Sequence, residues 1–281
     1  MKATVIGASG YSGGELLRLI AAHPHFQLHG AIAHTSAGEK IAAVHPHLAS
    51  SHSGSFDSFT AELIGSSELL FFALPHGESG KIISDHKELF ASKKIIDLGA
   101  DFRLTSTSQW EKYYGGKHYG VWQYGLPELP GQREKIRTST QIANPGCYAT
   151  ALTLALAPFT QVVGKVNLSD VVITAASGTT GAGRSAKINL LGSEVMNSLS
   201  AYKVGGVHQH TPEIEQALTA LSGSEVRLSF TPFLAPMPRG ILASVSVPVT
   251  GISLAEIRDL FSALYLKESF IHLLPEGLWP Q

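Results

Sequence analysis

The chain opens with Ala3-Thr4-Val5-Ile6, followed at once by Gly7-Ala8-Ser9-Gly10-Tyr11-Ser12-Gly13 and then by Gly14-Glu15-Leu16-Leu17-Arg18-Leu19-Ile20. The first piece is β-branched and reads as a strand; the last reads as a helix. In that order the glycines have a mechanism. They let the backbone turn tightly and come close to a pyrophosphate, which rests on the helix N-terminus. The spacing is Gly-x-x-Gly-x-x-Gly rather than Gly-x-Gly-x-x-Gly, a variant associated with NADP. The end of the second strand points the same way. A unit that holds NAD usually carries an acid about 20 residues past the glycines for the ribose hydroxyls. Here residues 28–33 run into His34-Thr35-Ser36-Ala37-Gly38, with no acid before Glu39. Thr35, Ser36 and Lys40 suit a 2′-phosphate, so NADP(H) is the expected cofactor.

Outward from this unit, short apolar strands alternate with helical stretches through the first half. Strands are expected at 68–74, ending in Pro75-His76-Gly77, and at 94–98, ending in Gly99-Ala100-Asp101-Phe102-Arg103. The carboxyl ends of such strands line the ligand crevice of an open parallel sheet. From Cys147 the strands lengthen, at 170–175, 225–230 and 241–247, and suggest a mixed or antiparallel sheet with helices at 211–221 and 253–265. Two domains are expected: an α/β dinucleotide-binding domain at 1–146 and an α+β domain at 147–281.

Cys147, the only cysteine, stands in Asn144-Pro145-Gly146-Cys147-Tyr148, directly before a helical stretch. A buried cysteine acting as a small hydrophobe is the commoner case. A Pro-Gly turn at a helix N-terminus instead favours the thiolate, through unpaired N–H groups and the macrodipole. Cys147 is therefore read as a nucleophile for a carbonyl or acyl-phosphate carbon. Ser177-Gly178-Thr179-Thr180-Gly181-Ala182-Gly183-Arg184 is read as a ligand-contacting loop. In His208-Gln209-His210-Thr211-Pro212-Glu213, Thr211 is expected as N-cap with Pro212 in the first turn, and the histidines can carry protons near neutral pH. Met237-Pro238-Arg239-Gly240 either presents Arg239 or is only a turn. Thirteen histidines raise the question of a metal. The pairs His23/His25, His45/His47 and His208/His210 have no Cys or carboxylate at zinc spacing, so no metal is expected and most histidines are read as surface or loop residues.

Lys and Arg total 21 against 22 Asp and Glu, a formal net charge of −1, which leaves no basic footprint for nucleic acid or membrane. No apolar run is read as reaching transmembrane length. A strand in the first residues leaves no room for a leader, and one cysteine rules out an internal disulfide framework, so a cytoplasmic location is expected.

With these segments in hand, the chain resembles the N-acetyl-gamma-glutamyl-phosphate reductase family over essentially its whole length. The carrying motifs are Gly-Ala-Ser-Gly-Tyr-Ser-Gly-Gly-Glu at 7–15, Ala-Leu-Pro-His-Gly at 73–77 and Asp-Leu-Gly-Ala-Asp-Phe-Arg-Leu at 97–104. To these add Tyr-Gly-Leu-Pro-Glu-Leu at 124–129, Asn-Pro-Gly-Cys-Tyr-Ala-Thr at 144–150, the 177–184 loop, and His-Gln-His-Thr-Pro-Glu-Ile-Glu-Gln at 208–216. The resemblance implies a Rossmann NADP-binding domain followed by an α+β catalytic and oligomerisation domain of the glyceraldehyde-phosphate and aspartate-semialdehyde dehydrogenase type. It implies homo-oligomers, dimers or tetramers, acting on a small molecule. The implied reaction is NADPH-dependent reductive dephosphorylation of N-acetyl-gamma-glutamyl phosphate through a Cys147 thioester, in arginine biosynthesis. His208 is implied as acid/base with His210 as the fallback, Arg103 and Arg184 as contacts to substrate anions, and Glu213 as orienting base or substrate. Gly7, Ser9, Gly10, Tyr11, Ser12, Gly13, Ser36, Pro75, Ser177 and Gly178 are implied as cofactor contacts. Family members run on past 273–275 through another strand and helix, whereas this sequence stops at Gln281. An apolar patch near the first strands and helix is expected in consequence. Two alternatives stay open: the same chemistry on aminoadipyl phosphate, which shares most of these motifs, or on aspartyl phosphate; and a protein that binds NADP with catalysis lost through the short carboxyl end.

Overall fold

A computed structural model of the chain describes residues 1–280. The chain divides into two compact units, residues 1–125 with 138–145, and residues 126–137 with 146–281. The break at 145/146 lies one residue from that read in the sequence, while residues 126–137, which linear order puts in the first domain, lie in the second unit.

The first unit is a six-stranded parallel sheet. Its strands are β1 (Lys2–Ile6), β2 (Gln27–Ile32), β3 (Leu69–Phe72), β4 (Lys94–Asp97), β5 (Gln123–Tyr124) and β6 (Gln141–Ala143), in the order β2-β1-β3-β4-β6-β5. Alternate residues of β3 serve different faces. Leu69 and Phe71 join Ala3, Val5, Leu17 and Ile20 in one core, and Leu70 and Phe72 join Ile6, Ile64 and Ile95 in another. Both faces are thus buried, which is why β3 is apolar at every position. The order reverses at β1, flanked by β2 and β3, and such a reversal opens a crevice beyond the carboxyl ends.

Helix α1 spans Tyr11–Ala22 with Gly10 as N-cap. It therefore begins three residues before the run at Gly14 that helix propensity favours. Gly13 is inside it because a Cβ there would lie 2.3 Å from the Gly7 carbonyl oxygen. Close packing overrides the cost of a helical glycine. β3 and β4 are shorter than the apolar runs that announce them.

The second unit holds β7 (Val171–Ser177), β8 (Ser200–Ala201), β9 (Leu228–Leu234) and β10 (Ile241–Ser246) in the order β10-β7-β9-β8. β7 and β9 are parallel, and the two edge strands are antiparallel to them, so the sheet is mixed, as expected. Two further helices, Cys147–Leu156 and Thr211–Ser222, supply Leu152, Leu156, Ile214 and Leu218 to the core against Ile173 and Phe230. On β7 and β10, Val172 and Leu242 point the other way and are exposed. The helical stretch Cys147–Lys165 is 19 residues long and apolar enough to cross a membrane by length and composition, which the sequence reading did not expect. It is a core element: Leu152, Leu156 and Ala157 are buried, and Val162 leaves helical geometry.

Candidate active site

In the first unit the glycine turn is held from below by β2. The Gly7 and Ala8 N–H groups both donate to the Ile32 carbonyl, at 3.0 and 2.9 Å. Gly7 has φ +88°, and a Cβ on it would lie 2.3 Å from the Ala73 carbonyl oxygen. Its N-cap Gly10 has no side chain to offer the first N–H groups of α1, and the helix opens with Tyr11, Ser12 and Gly13. Beside the turn is a cavity of about 430 Å³ lined by Ile6, Gly7, Ile32, Ala33, His34, Ser58, Phe59, Leu74, Ile82 and His86. A glycine cradle, a helix start with glycine at its N-cap and an apolar cavity together fit a dinucleotide.

Ser36 lies just beyond β2, where its carbonyl accepts the Glu39 N–H and Gly38 N–H donates to Phe56 O. Asp57 is brought to β2 from further along the chain. Its carboxylate accepts the Ala31 N–H at 2.8 Å, and its backbone pairs with Ala31 and Ala33. Sequence spacing could not reveal this acid, whose observed bonds are to the strand backbone.

Pro75 precedes a tightly held turn. Asp101, fully buried, accepts the Gly77 and Gly80 N–H groups at 2.8 Å each, and His76 Nδ1 accepts the Ala100 N–H. Burial, with Asp101 adding to it, pushes the neighbouring Asp97 carboxyl up to about 6. Arg103 is buried here. Its Nε donates to Asn144 O at 2.7 Å and one Nη to Leu98 O at 2.8 Å. These bonds tie the ends of β4 and β6 together, so in this structure the guanidinium also braces the approach to the Pro145 turn.

In the second unit Cys147 is the first residue of helix α2 (Cys147–Leu156), exposed, with Gly146 as N-cap. The Gly146 N–H donates to Glu213 Oε1 at 2.9 Å, and Glu213 is fully buried. The His210 ring lies on the other side of the same glycine: a Cβ on Gly146 would be 2.4 Å from His210 Nε2. Cys147, the next residue in the chain, and the His210 and Glu213 side chains are thus gathered around Gly146. Thr211 is not the N-cap of helix α3 (Thr211–Ser222). That position falls to His210, with Thr211 and Pro212 inside the first turn, and the Thr211 side chain is buried without capping the helix.

His208 sits deeper. Tyr148, Phe230, His210 and Tyr202 surround its ring at centroid distances of 5.3, 5.1, 4.9 and 5.8 Å. Its Nδ1 accepts the His210 N–H at 3.1 Å. Burial first, then the charges of His210 and Lys203, push its pKa down to about 3. His208 is therefore neutral in the fold. Most histidines were read as surface or loop residues; His45 is buried, as are the two proton-carrier candidates His208 and His210.

A prediction follows for stability. The unfolded chain takes up a proton at His208 below about pH 6.5, and the fold refuses it until about pH 3. Stability is thus present above pH 6.5 and lost as pH falls through that window, by up to about 1.4 kcal/mol per pH unit. Urea titrations at pH 7 and 5 should show a smaller drop for His208→Phe than for the parent. Equal drops would mean that His208 is protonated in the fold.

Ser177 ends β7 and is buried, its hydroxyl donating to Gly178 O at 3.0 Å. Gly178 lies against Arg239: a Cβ on it would be 2.6 Å from the Arg239 nitrogen. Arg239 is thereby identified with the turn that supports the 177–184 loop. Arg184 stands exposed at the end of that loop.

Residues 2–139 match the semialdehyde dehydrogenase NAD binding domain, and residues 147–281 the semialdehyde dehydrogenase dimerisation domain. An N-acetyl-gamma-glutamyl-phosphate reductase of Acidothermus cellulolyticus is 55% identical over all of this chain and 81% of its own length. One of Micrococcus luteus is 49% identical over 98% of this chain and 80% of its own. Among solved structures, a probable aspartate-semialdehyde dehydrogenase of Pseudomonas aeruginosa aligns with a TM-score of 0.67 at 20% identity, over 100% of this chain and 83% of that one. At that identity the likeness concerns the fold. With both units matched and identity near one half along the whole sequence, the chain belongs to the N-acetyl-gamma-glutamyl-phosphate reductase family.

Proposed function

We propose that this protein reduces N-acetyl-gamma-glutamyl phosphate to the 5-semialdehyde with NADPH, through a covalent intermediate on Cys147, in arginine biosynthesis. The observation that carries the covalent step is the clustering of Cys147, His210 and Glu213 around Gly146. His210 takes the Cys147 proton, and the thiolate attacks the acyl carbon. The C–O bond to phosphate breaks, phosphate leaves, and a thioester remains. When bound, the reduced nicotinamide supplies the hydride that converts the thioester to the aldehyde level. Collapse of the resulting tetrahedral species frees the semialdehyde and restores the thiolate. Glu213 holds the Gly146 N–H, and with it the direction of the thiol.

The acid/base role assigned to His208 by resemblance passes to His210 in this reading. The support is the ring of His210 against Gly146 and a His208 pKa pushed down to about 3, far from the range of an efficient proton carrier. Arg184 is the better candidate for a substrate anion, being exposed, whereas Arg103 has two donors on backbone carbonyls. The exposed face of the mixed sheet, with Val172 and Leu242, suits pairing with a second copy, in keeping with the dimerisation domain it matches.

The test is reductive turnover of N-acetyl-gamma-glutamyl phosphate beside aminoadipyl and aspartyl phosphates, each with NADPH and with NADH. Turnover of the acetylglutamyl substrate is expected to lead, and NADPH to bind at least about tenfold more tightly than NADH, as one charge-assisted contact to the 2′-phosphate allows. Preference for another acyl phosphate sinks the substrate reading, and equal cofactor affinity sinks the reading of Ser36.

A further inference from the structure

We propose that His45 is a positioning residue for the dinucleotide site: it ties the segment that follows β2 to the glycine turn and sets where that turn stands beneath a pyrophosphate. The inference rests on the reading that the first unit takes NADPH. Residues 34–57 leave β2, carry Ser36 and Lys40, and return to it, with bridges between Lys40 and Ser55 and between Ile32 and Asp57. His45 closes the one-turn helix Ile41–Val44 inside this excursion and is only 4% exposed.

From there its Nε2 reaches the Ala8 carbonyl at 2.9 Å. A carbonyl only accepts, so Nε2 carries the proton. Ala8 is then held at both ends of its backbone, its N–H by Ile32 O and its carbonyl by His45. The ring also explains Gly14. A Cβ at that position would lie 2.6 Å from His45 Cε1 and 2.8 Å from Nδ1. Glycine inside a helix is less favourable than alanine, and here it admits the imidazole against the first turns of α1. Phe56 backs the ring from the returning segment, at 6.0 Å between centroids. One side chain thereby links the loop bearing Ser36 to the turn that meets the pyrophosphate.

His45→Phe keeps a ring and removes the donor; His45→Gln replaces the ring with an amide that can still donate. In His45→Phe the KM for NADPH should rise about tenfold, the loss of one buried hydrogen bond, with kcat at saturating cofactor within about twofold of the parent. His45→Gln should recover most of the loss. An unchanged KM, a fall in kcat without a rise in KM, or no recovery by Gln overturns the proposal. Amide exchange of residues 7–14 in the unliganded protein supplies a readout independent of the cofactor. Exchange should quicken in His45→Phe and slow again in His45→Gln, and equal protection in all three overturns the bracing. If the parent itself fails to bind NADPH, the cofactor reading falls, while exchange still decides whether His45 braces the turn.

Discussion

Cys147→Ser is expected to lower turnover of the acyl phosphate by a factor on the order of 10³ or more while NADPH affinity stays within about twofold. The serine keeps the position at the head of helix α2 but replaces a soft, readily ionised nucleophile with a hydroxyl that stays protonated near neutral pH. The glycine turn rests on the Ile32 carbonyl and the cavity beside it is lined by residues of the first unit, so cofactor binding should survive. Two measurements check this. Mass spectrometry of acid-quenched parent enzyme, mixed with substrate in the absence of NADPH, should find an acyl adduct on Cys147 that the variant lacks. Alkylation rates across pH should place the parent thiol well below about 8.5, the value of a model cysteine. Undiminished turnover by the serine variant would falsify the covalent mechanism.

Gly146→Ala should cost about 100-fold in kcat, the scale of a displacement near 1 Å at a reacting centre. The cause is local. Gly146 has φ −68° and ψ 155°, a conformation open to any residue, so backbone strain is not involved. The added methyl would fall 2.4, 2.6 and 2.8 Å from His210 Nε2, Cε1 and Cδ2, and the ring must move away from the turn. Steady-state kinetics should show the loss in kcat with the KM for NADPH nearly constant. A variant that turns over normally would mean that the position of His210 is immaterial, and would return the proton-transfer role to another group.

Much of this architecture was legible because its signals are local. The strand, turn and helix at residues 2–22 and the Cys147 turn each declare themselves within about a dozen residues, through glycine, proline and β-branched spacing. Longer strands in the second half marked a mixed or antiparallel sheet, and the pairing of β7 with β9 makes it mixed. What stayed hidden depends on contacts across the sequence. Asp57 reaches β2 from 26 residues beyond Ala31. His45 looks like one of many loop histidines until its bond to Ala8 is seen. The choice between His208 and His210 turns on which ring is enclosed by Tyr148, Tyr202 and Phe230 and which meets Gly146. Two histidines two residues apart look alike in a sequence; both are buried in the fold, and what their rings meet separates them. The start of α1 was misplaced for the same reason, since the partner that makes Gly13 necessary is the carbonyl of Gly7.

The bond from Gly146 to Glu213 spans 67 residues. Helix α2 can form from neighbouring residues in microseconds, but its cap is secured only when a long loop closes and helix α3 docks. During refolding the thiol should pass through a period in which its helix exists and its setting does not. A pulse of alkylating agent delivered at successive times after dilution from denaturant would therefore record the assembly of the active site separately from the recovery of helical signal.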